Sequence, residues 1–93
     1  MALLMKVGET HPTDIKPANK DFFTLEELQS YVDGYIEIIH VKGKLYTQLI
    51  VNDEGRINGS PVNEMATYYV TNILGLSHIV HGDCVLATPK EIT

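Results

Sequence analysis

The sequence is poor in positive charge and in cysteine. Its 93 residues include no tryptophan, one cysteine and one arginine, and Lys and Arg together number 7 against 12 Asp and Glu. Nucleic-acid binding by phosphate neutralisation needs several basic side chains on one surface, and a net charge of −5 argues against it. A lone cysteine, Cys84, cannot form an internal disulfide, so the composition is not that of a small secreted domain.

Long apolar runs are also missing. None approaches the roughly 18 residues that would cross a bilayer, and no basic segment precedes the apolar N-terminal residues. We therefore expect a cytoplasmic protein with no membrane partner. Apolar residues are 44% and charged residues 20% of the chain, as in a globular domain with one modest core. We interpret 1–93 as a single domain with a proline-containing loop at about 9–20 and a tail at 89–93.

Two amphipathic helices are predicted, at about 24–33 and 63–74. Thr24 and Glu27 have the spacing of a capping box, and Asn63 is the expected N-cap of the second helix. Apolar residues recur at helical spacing in both segments, so each helix should bury one face. The two predicted faces consist of Leu25, Leu28 and Val32 in the first helix and of Ala66, Tyr69, Val70, Ile73 and Leu74 in the second.

Short β-branched runs predict the rest of the fold. Segments 35–41 and 45–51 should form an antiparallel hairpin, and 35–41 is apolar on both faces, which predicts a central strand covered on both sides. The pattern as a whole predicts an α+β fold, with a mainly antiparallel sheet of four to five short strands and two helices packed on one face. Further candidate strands lie at 2–7, 56–57, 77–80 and 84–88.

One group of residues has a spacing typical of reactive sites. His78, His81 and Cys84 form an H-x-x-H-x-x-C pattern, which suits metal ligands or a Cys–His nucleophile pair. Residues three apart on a strand point to opposite faces, however, and a fourth metal ligand would come from His40 or His11 only by accident of the fold. We therefore predict no catalytic residue, no metal and no cofactor, and we keep a metal or thiol enzyme as an alternative.

Four residues are candidate contacts for a partner or ligand. Glu37 lies within an apolar strand, where a buried carboxylate needs a donor and an exposed one marks an edge. Asn52 and Asp53 begin a turn, which explains them structurally as well. Tyr68 lies one step off the apolar face of the second helix, either at the core edge or exposed, and tyrosine is enriched in interfaces.

Five short blocks follow one another between about residues 22 and 88. They are Val-Asp-Gly-Tyr-Ile-Glu at 32–37, Leu-Ile-Val-Asn-Asp-Glu-Gly at 49–55, Pro-Val-Asn at 61–63, Ala-Thr at 66–67 and Ile-Val-His-Gly-Asp at 79–83. In this order they resemble a domain-of-unknown-function family of small bacterial proteins, many of them borne by phages and plasmids. Asp33 stands where the family pattern has a glycine. The resemblance implies a compact intracellular module of mobile-element origin and no known catalytic residues.

These observations favour a non-enzymatic binding or interaction module, an accessory protein of a phage or mobile element that acts on a host protein. One alternative is an oligomeric protein that binds or sequesters a nucleotide or metabolite, because a monomer of 93 residues has little room for a large pocket. The metal or thiol enzyme is the second alternative. We expect a protein partner, leave a homo-oligomer open, and expect neither nucleic acid nor membrane as a partner.

Overall fold

The computed structural model describes residues 2–75 and 77–92. Its sheet has the strand order β2-β1-β5-β4-β3, and all pairs are antiparallel. The strands are β1 (Ala2–Met5), β2 (Thr13–Ile15), β3 (Ile36–His40), β4 (Gln48–Asn52) and β5 (Cys84–Ala87). The helices are α1 (Leu25–Val32) and α2 (Glu64–Tyr68), which continues as a π-helical turn (Tyr69–Ile73), and a 3₁₀ turn spans Pro89–Glu91. The predicted α+β fold is confirmed, and none of the helices in these ranges is long and apolar enough to cross a membrane.

Helices cover both faces of the sheet. Side chains alternate along a strand, so Val85 and Leu86 of β5 point to opposite faces. Val85 packs in one apolar cluster with Leu28 of α1, whereas Leu86 packs in another with Val70 of the second helical segment. The expectation that both helices share one face is therefore wrong. The reason is β5, whose four residues are all buried and whose two apolar faces both need cover.

The strand predicted to be central lies at an edge. Among the described strands β3 pairs only with β4, and β5 occupies the middle of the sheet instead. Ile36 packs against the α1 cluster and Ile39 against the α2 cluster, while the other three residues of β3 are exposed. Apolar residues on both faces of this strand therefore reflect contact with a helix on each side, not a central position.

Both helices begin at the predicted caps. The Thr24 hydroxyl accepts the Glu27 N–H at 3.2 Å, and the Glu27 carboxylate accepts the Thr24 N–H at 3.0 Å. Asn63 caps α2 through its side-chain oxygen. Two residues of the predicted buried faces are nevertheless exposed. Leu25 is the first residue of α1, and Ile73 belongs to the π-helical turn, whose wider winding rotates it away from the core.

Two segments predicted to be irregular contain short elements, and two segments predicted to be strands are loops. Within the predicted loop at 9–20, β2 pairs with β1, and within the predicted tail the 3₁₀ turn buries Glu91. Elements of three residues are too short to show a hydrophobic period, so only their long-range pairing reveals them. The predicted strands at 56–57 and 77–80 are instead loops. Met1 and Thr93, the ends of the predicted domain and tail, lie outside the described residues.

Candidate functional site

Asn63 joins three parts of the chain through its side chain. This fully buried amide donates from Nδ2 to the carbonyls of Met5 at 2.9 Å and Gly82 at 3.0 Å. Its Oδ1 accepts the Ala66 N–H at 3.0 Å, and its backbone N–H donates to the Val80 carbonyl at 2.7 Å. The end of β1, the start of α2 and the segment that precedes β5 are thereby held at one point.

Asn52 plays a similar part at the end of β4. Its Nδ2 donates to the carbonyls of Val32 and Asp33, each at 3.1 Å, and its Oδ1 accepts the Glu54 N–H at 2.8 Å. A Cβ on Gly34 would lie 2.6 Å from this Nδ2, so glycine is what permits the end of α1 to approach β4 this closely. The amide of Asn52 is therefore engaged within the chain, as the turn-forming interpretation expects.

The segment between the second helix and β5 is fixed by a single antiparallel β-bridge between His81 and Val62 and by side-chain hydrogen bonds. The Val80 N–H donates to the Thr67 hydroxyl at 2.9 Å. His81 Nδ1 lies 3.0 Å from the Ser60 carbonyl oxygen. Because these bonds reach across from α2 and from the loop before it, the segment has a defined position beside the sheet without belonging to it.

A groove of about 720 Å³ lies over the β3–β4 end of the sheet. Its lining includes the buried side chains of Val51 and Val80, and the exposed side chains of Ile57 and Ile79 form part of its rim. This volume falls within the roughly 300–1,000 Å³ of small-molecule sites. That a ligand site of this chain needs an oligomer stays a prediction. Five ionisable side chains also line the groove: Glu37, Asp53, Arg56, His78 and His81.

Three of the four predicted contact residues meet at this groove. Glu37 and Asp53 are exposed there, and Asn52 is half-buried beside them. The exposure of Glu37 agrees with the edge position and not with a buried carboxylate. Tyr68 is exposed on α2 and is not part of the lining, so the structure does not bring it to the other three.

The H-x-x-H-x-x-C residues do not converge. His78 and His81 line the groove, whereas Cys84 is fully buried in the core beneath the second helix. Burial, with the nearby charge of Asp83, raises the pKa of the Cys84 thiol to about 12, so the thiol is protonated at neutral pH and is a poor nucleophile. Within residues 2–75 and 77–92, no three His, Cys, Asp or Glu side chains are grouped to hold a metal ion. His40 and His11 are exposed on β3 and on the loop before β2.

Sequence reasoning missed the two rim isoleucines. Ile57 and Ile79 were assigned to short strands, where β-branched residues are normally half-buried. For Ile57 a signal was present, because Gly55 precedes it and Asn58-Gly59 follow it, and an apolar residue between turn formers has little sheet to pack against. Ile79 offered no such signal, since its exposure depends on how Thr67 and Asn63 hold the segment.

Comparison with known proteins identifies the family. A family model described as Domain of unknown function (DUF3846) matches residues 1–92. The chain belongs to this family. No curated protein and no solved structure matches it. In this DUF3846 domain, two of the block residues, Asn52 and Asn63, hold backbone segments together, and the groove lies beside them. The bacterial and mobile-element origin stays a prediction.

Proposed function

We propose that this DUF3846 domain is a non-enzymatic binding module that receives an apolar segment of a partner protein in the groove. One observation carries the proposal: Ile57 and Ile79 are 85% and 61% exposed and belong to the same groove. Single exposed apolar residues are ordinary, but two bulky ones beside the buried valines of one groove form a patch of the kind that partners cover.

The surroundings of these isoleucines resemble the polar rim of an interface. Glu37 and Asp53 supply negative charge, and Arg56 supplies the positive charge of the lining together with a planar group suited to hydrogen bonding. With a net charge of −5, the chain favours a neutral or basic partner segment over an acidic one. A host protein contacted by a mobile-element accessory protein is the setting that the family resemblance implies.

The groove is also built in advance of binding. Asn52 accepts from Glu54 and so shapes the turn that leads to Arg56 and Ile57. Thr67 fixes Val80 on the other side. Walls that are already ordered lose little conformational entropy when a partner arrives, which favours binding.

The test compares the groove with an equally exposed isoleucine elsewhere. Ile73 is 60% exposed and lies on the π-helical turn, outside the groove. A photo-reactive residue placed at position 57 or 79 should crosslink the same partner in a host lysate, and one at position 73 should not. Ile57→Asp and Ile79→Asp should then each weaken binding of that partner by about 30-fold, as for a residue that carries much of the binding energy, while Ile73→Asp leaves it unchanged. Identical crosslinking profiles at all three positions would refute the proposal.

A second candidate function rests on the same groove. Five ionisable groups around about 720 Å³ also suit a small charged metabolite or nucleotide. A ligand at 100 times its Kd adds about 2.7 kcal/mol to the free energy of unfolding, so a thermal-shift panel would reveal it. A small ligand, and not a protein partner, would be supported by a thermal shift that Arg56→Gln and Glu37→Gln abolish. The control variant Lys90→Gln should keep that shift.

A further inference from the structure

We propose that β3 pairs antiparallel with β3 of a second copy of this chain, which joins two five-stranded sheets into one. The proposal concerns the free edge of the sheet and not the rim isoleucines, so it is independent of the proposed function. It depends on three features of β3: the direction of its backbone groups, the weak protection along the strand, and the charges at its two ends.

The backbone of β3 presents hydrogen-bonding groups that have no partner among residues 2–75 and 77–92. The Tyr35 carbonyl accepts the Asp53 N–H and the Val41 N–H donates to the Thr47 carbonyl, each at 3.0 Å, so odd-numbered residues bond towards β4. Hydrogen-bonded and non-hydrogen-bonded pairs alternate in an antiparallel ladder. The N–H and C=O groups of Ile36, Ile38 and His40 therefore point outward from the sheet.

The two edges of the sheet differ in protection. β2 has three residues and lies between Pro12 and Lys16-Pro17, which shorten and interrupt that edge. β3 has five residues, Ile-Glu-Ile-Ile-His, with no proline, glycine or lysine among them. Ile38 at its centre is 37% exposed. Glu37 is its only acidic side chain, so an edge of this length is a weakly protected template for another strand.

The outward groups are complementary to themselves. When Ile38 faces Ile38 of the second copy, Ile36 faces His40 of the second copy and His40 faces its Ile36. All three residues whose backbone points outward then form hydrogen-bonded pairs, with about six hydrogen bonds in total. This register has twofold symmetry, as expected of an interface between identical chains.

Charge favours the antiparallel direction. Asp33, Asp53 and Glu54 are exposed near the start of β3, and Lys42 and Lys44 are exposed beyond its end. An antiparallel pair places the acidic end of each copy beside the basic end of the other, whereas a parallel pair would place like charges together. A second copy of this chain therefore satisfies the backbone and both charged ends at once.

The experiment removes one outward N–H of β3 and leaves the hydrogen bonds between β3 and β4 unchanged. Ile38→Pro deletes a donor that β4 does not use, a substitution that edge strands accept. In sedimentation velocity over a concentration series, the unaltered chain should dimerise, and Ile38→Pro should raise the dimer Kd by at least about tenfold while far-UV circular dichroism is unchanged. Ile38→Lys, which places two ammonium groups opposite each other, should do the same, and Ile73→Lys should not.

Crosslinking keeps the test decisive should the proline variant fail to fold. Cα atoms of a hydrogen-bonded antiparallel pair lie about 5.5 Å apart, within the range of a disulfide. Ile38→Cys should therefore give a disulfide-linked dimer under mild oxidation, while Ile73→Cys stays largely unlinked. An unaltered chain that is monomeric up to about 1 mM, or a folded Ile38→Pro variant with the original dimer Kd, would overturn the proposal.

Discussion

Asn52 and Asn63 have the same side chain and use it in the same way, but they differ in burial. Each donates from Nδ2 to two carbonyls and accepts one N–H at Oδ1. Asn63 is completely buried, whereas Asn52 is half-buried at the groove. When a buried carbonyl loses its donor, water cannot replace it, so the free-energy cost of losing the same bonds should be larger at Asn63.

The comparison also separates stability from function. Asn63 does not line the groove, whereas Asn52 does. The described contacts of Asn63 serve only to hold segments of the chain together. Asn52 both closes the turn after β4 and shapes a wall of the candidate binding site, so loss of its amide should affect folding and binding together.

The largest effect is expected for Asn63→Ala. The variant loses the N-cap of α2 and leaves the carbonyls of Met5 and Gly82 without the donor that Asn63 supplies. The free energy of unfolding should therefore fall by about 3 kcal/mol. Urea denaturation followed by circular dichroism measures this. Asn72→Ala is the matched control, because Asn72 is exposed and donates only locally, to the Tyr68 carbonyl. Equal losses for the two variants would contradict the role given to burial.

A smaller effect is expected for Asn52→Ala, about 1–2 kcal/mol, because water can reach part of the site. Gly34→Ala should produce a similar loss while Asn52 itself is kept, since the new methyl group would lie 2.6 Å from Nδ2 and displace the amide. Denaturation of both variants and of the double variant tests the coupling. If the two effects simply add, the amide and the glycine act separately and the close approach is not what requires glycine.

The smallest effect on stability is expected for Glu27→Gln, because the half-buried Glu27 carboxylate only accepts hydrogen bonds and its loss leaves no carbonyl without a donor. Hydrogen bonds from the backbone N–H groups of Thr24 and Ala18 hold the pKa of the Glu27 carboxyl below its usual range. A lowered folded-state pKa adds stability above the unfolded-state pKa, and that stability is lost as pH falls through the folded value. The difference in unfolding free energy between the chain and Glu27→Gln should therefore be constant near neutrality and shrink below about pH 4.5. Glu26→Gln, which removes a neighbouring first-turn charge, is the control.

Local signals were sufficient for the helix starts and not for the sheet order. The caps at Thr24 and Asn63 depend on residues three positions away, so they are visible in the sequence. The edge position of β3 depends on which strand lies beyond it, and β2 exists only because β1 pairs with it. Neither the edge position of β3 nor the existence of β2 can be predicted from a short stretch of sequence. The same limit applies to the groove, where Glu37 was predicted but Ile57 and Ile79 were not.

The strand order has a consequence for how the chain acquires its structure. β5 is the last strand in sequence but lies at the centre, between β1 and β4. During synthesis the β3–β4 hairpin can close early, yet the two halves of the sheet stay unconnected until Cys84–Ala87 arrives between them. Because contacts so distant in sequence form slowly, β1 and β4 each keep an unpaired edge until β5 has been made, and the complete sheet should form only after that point in synthesis.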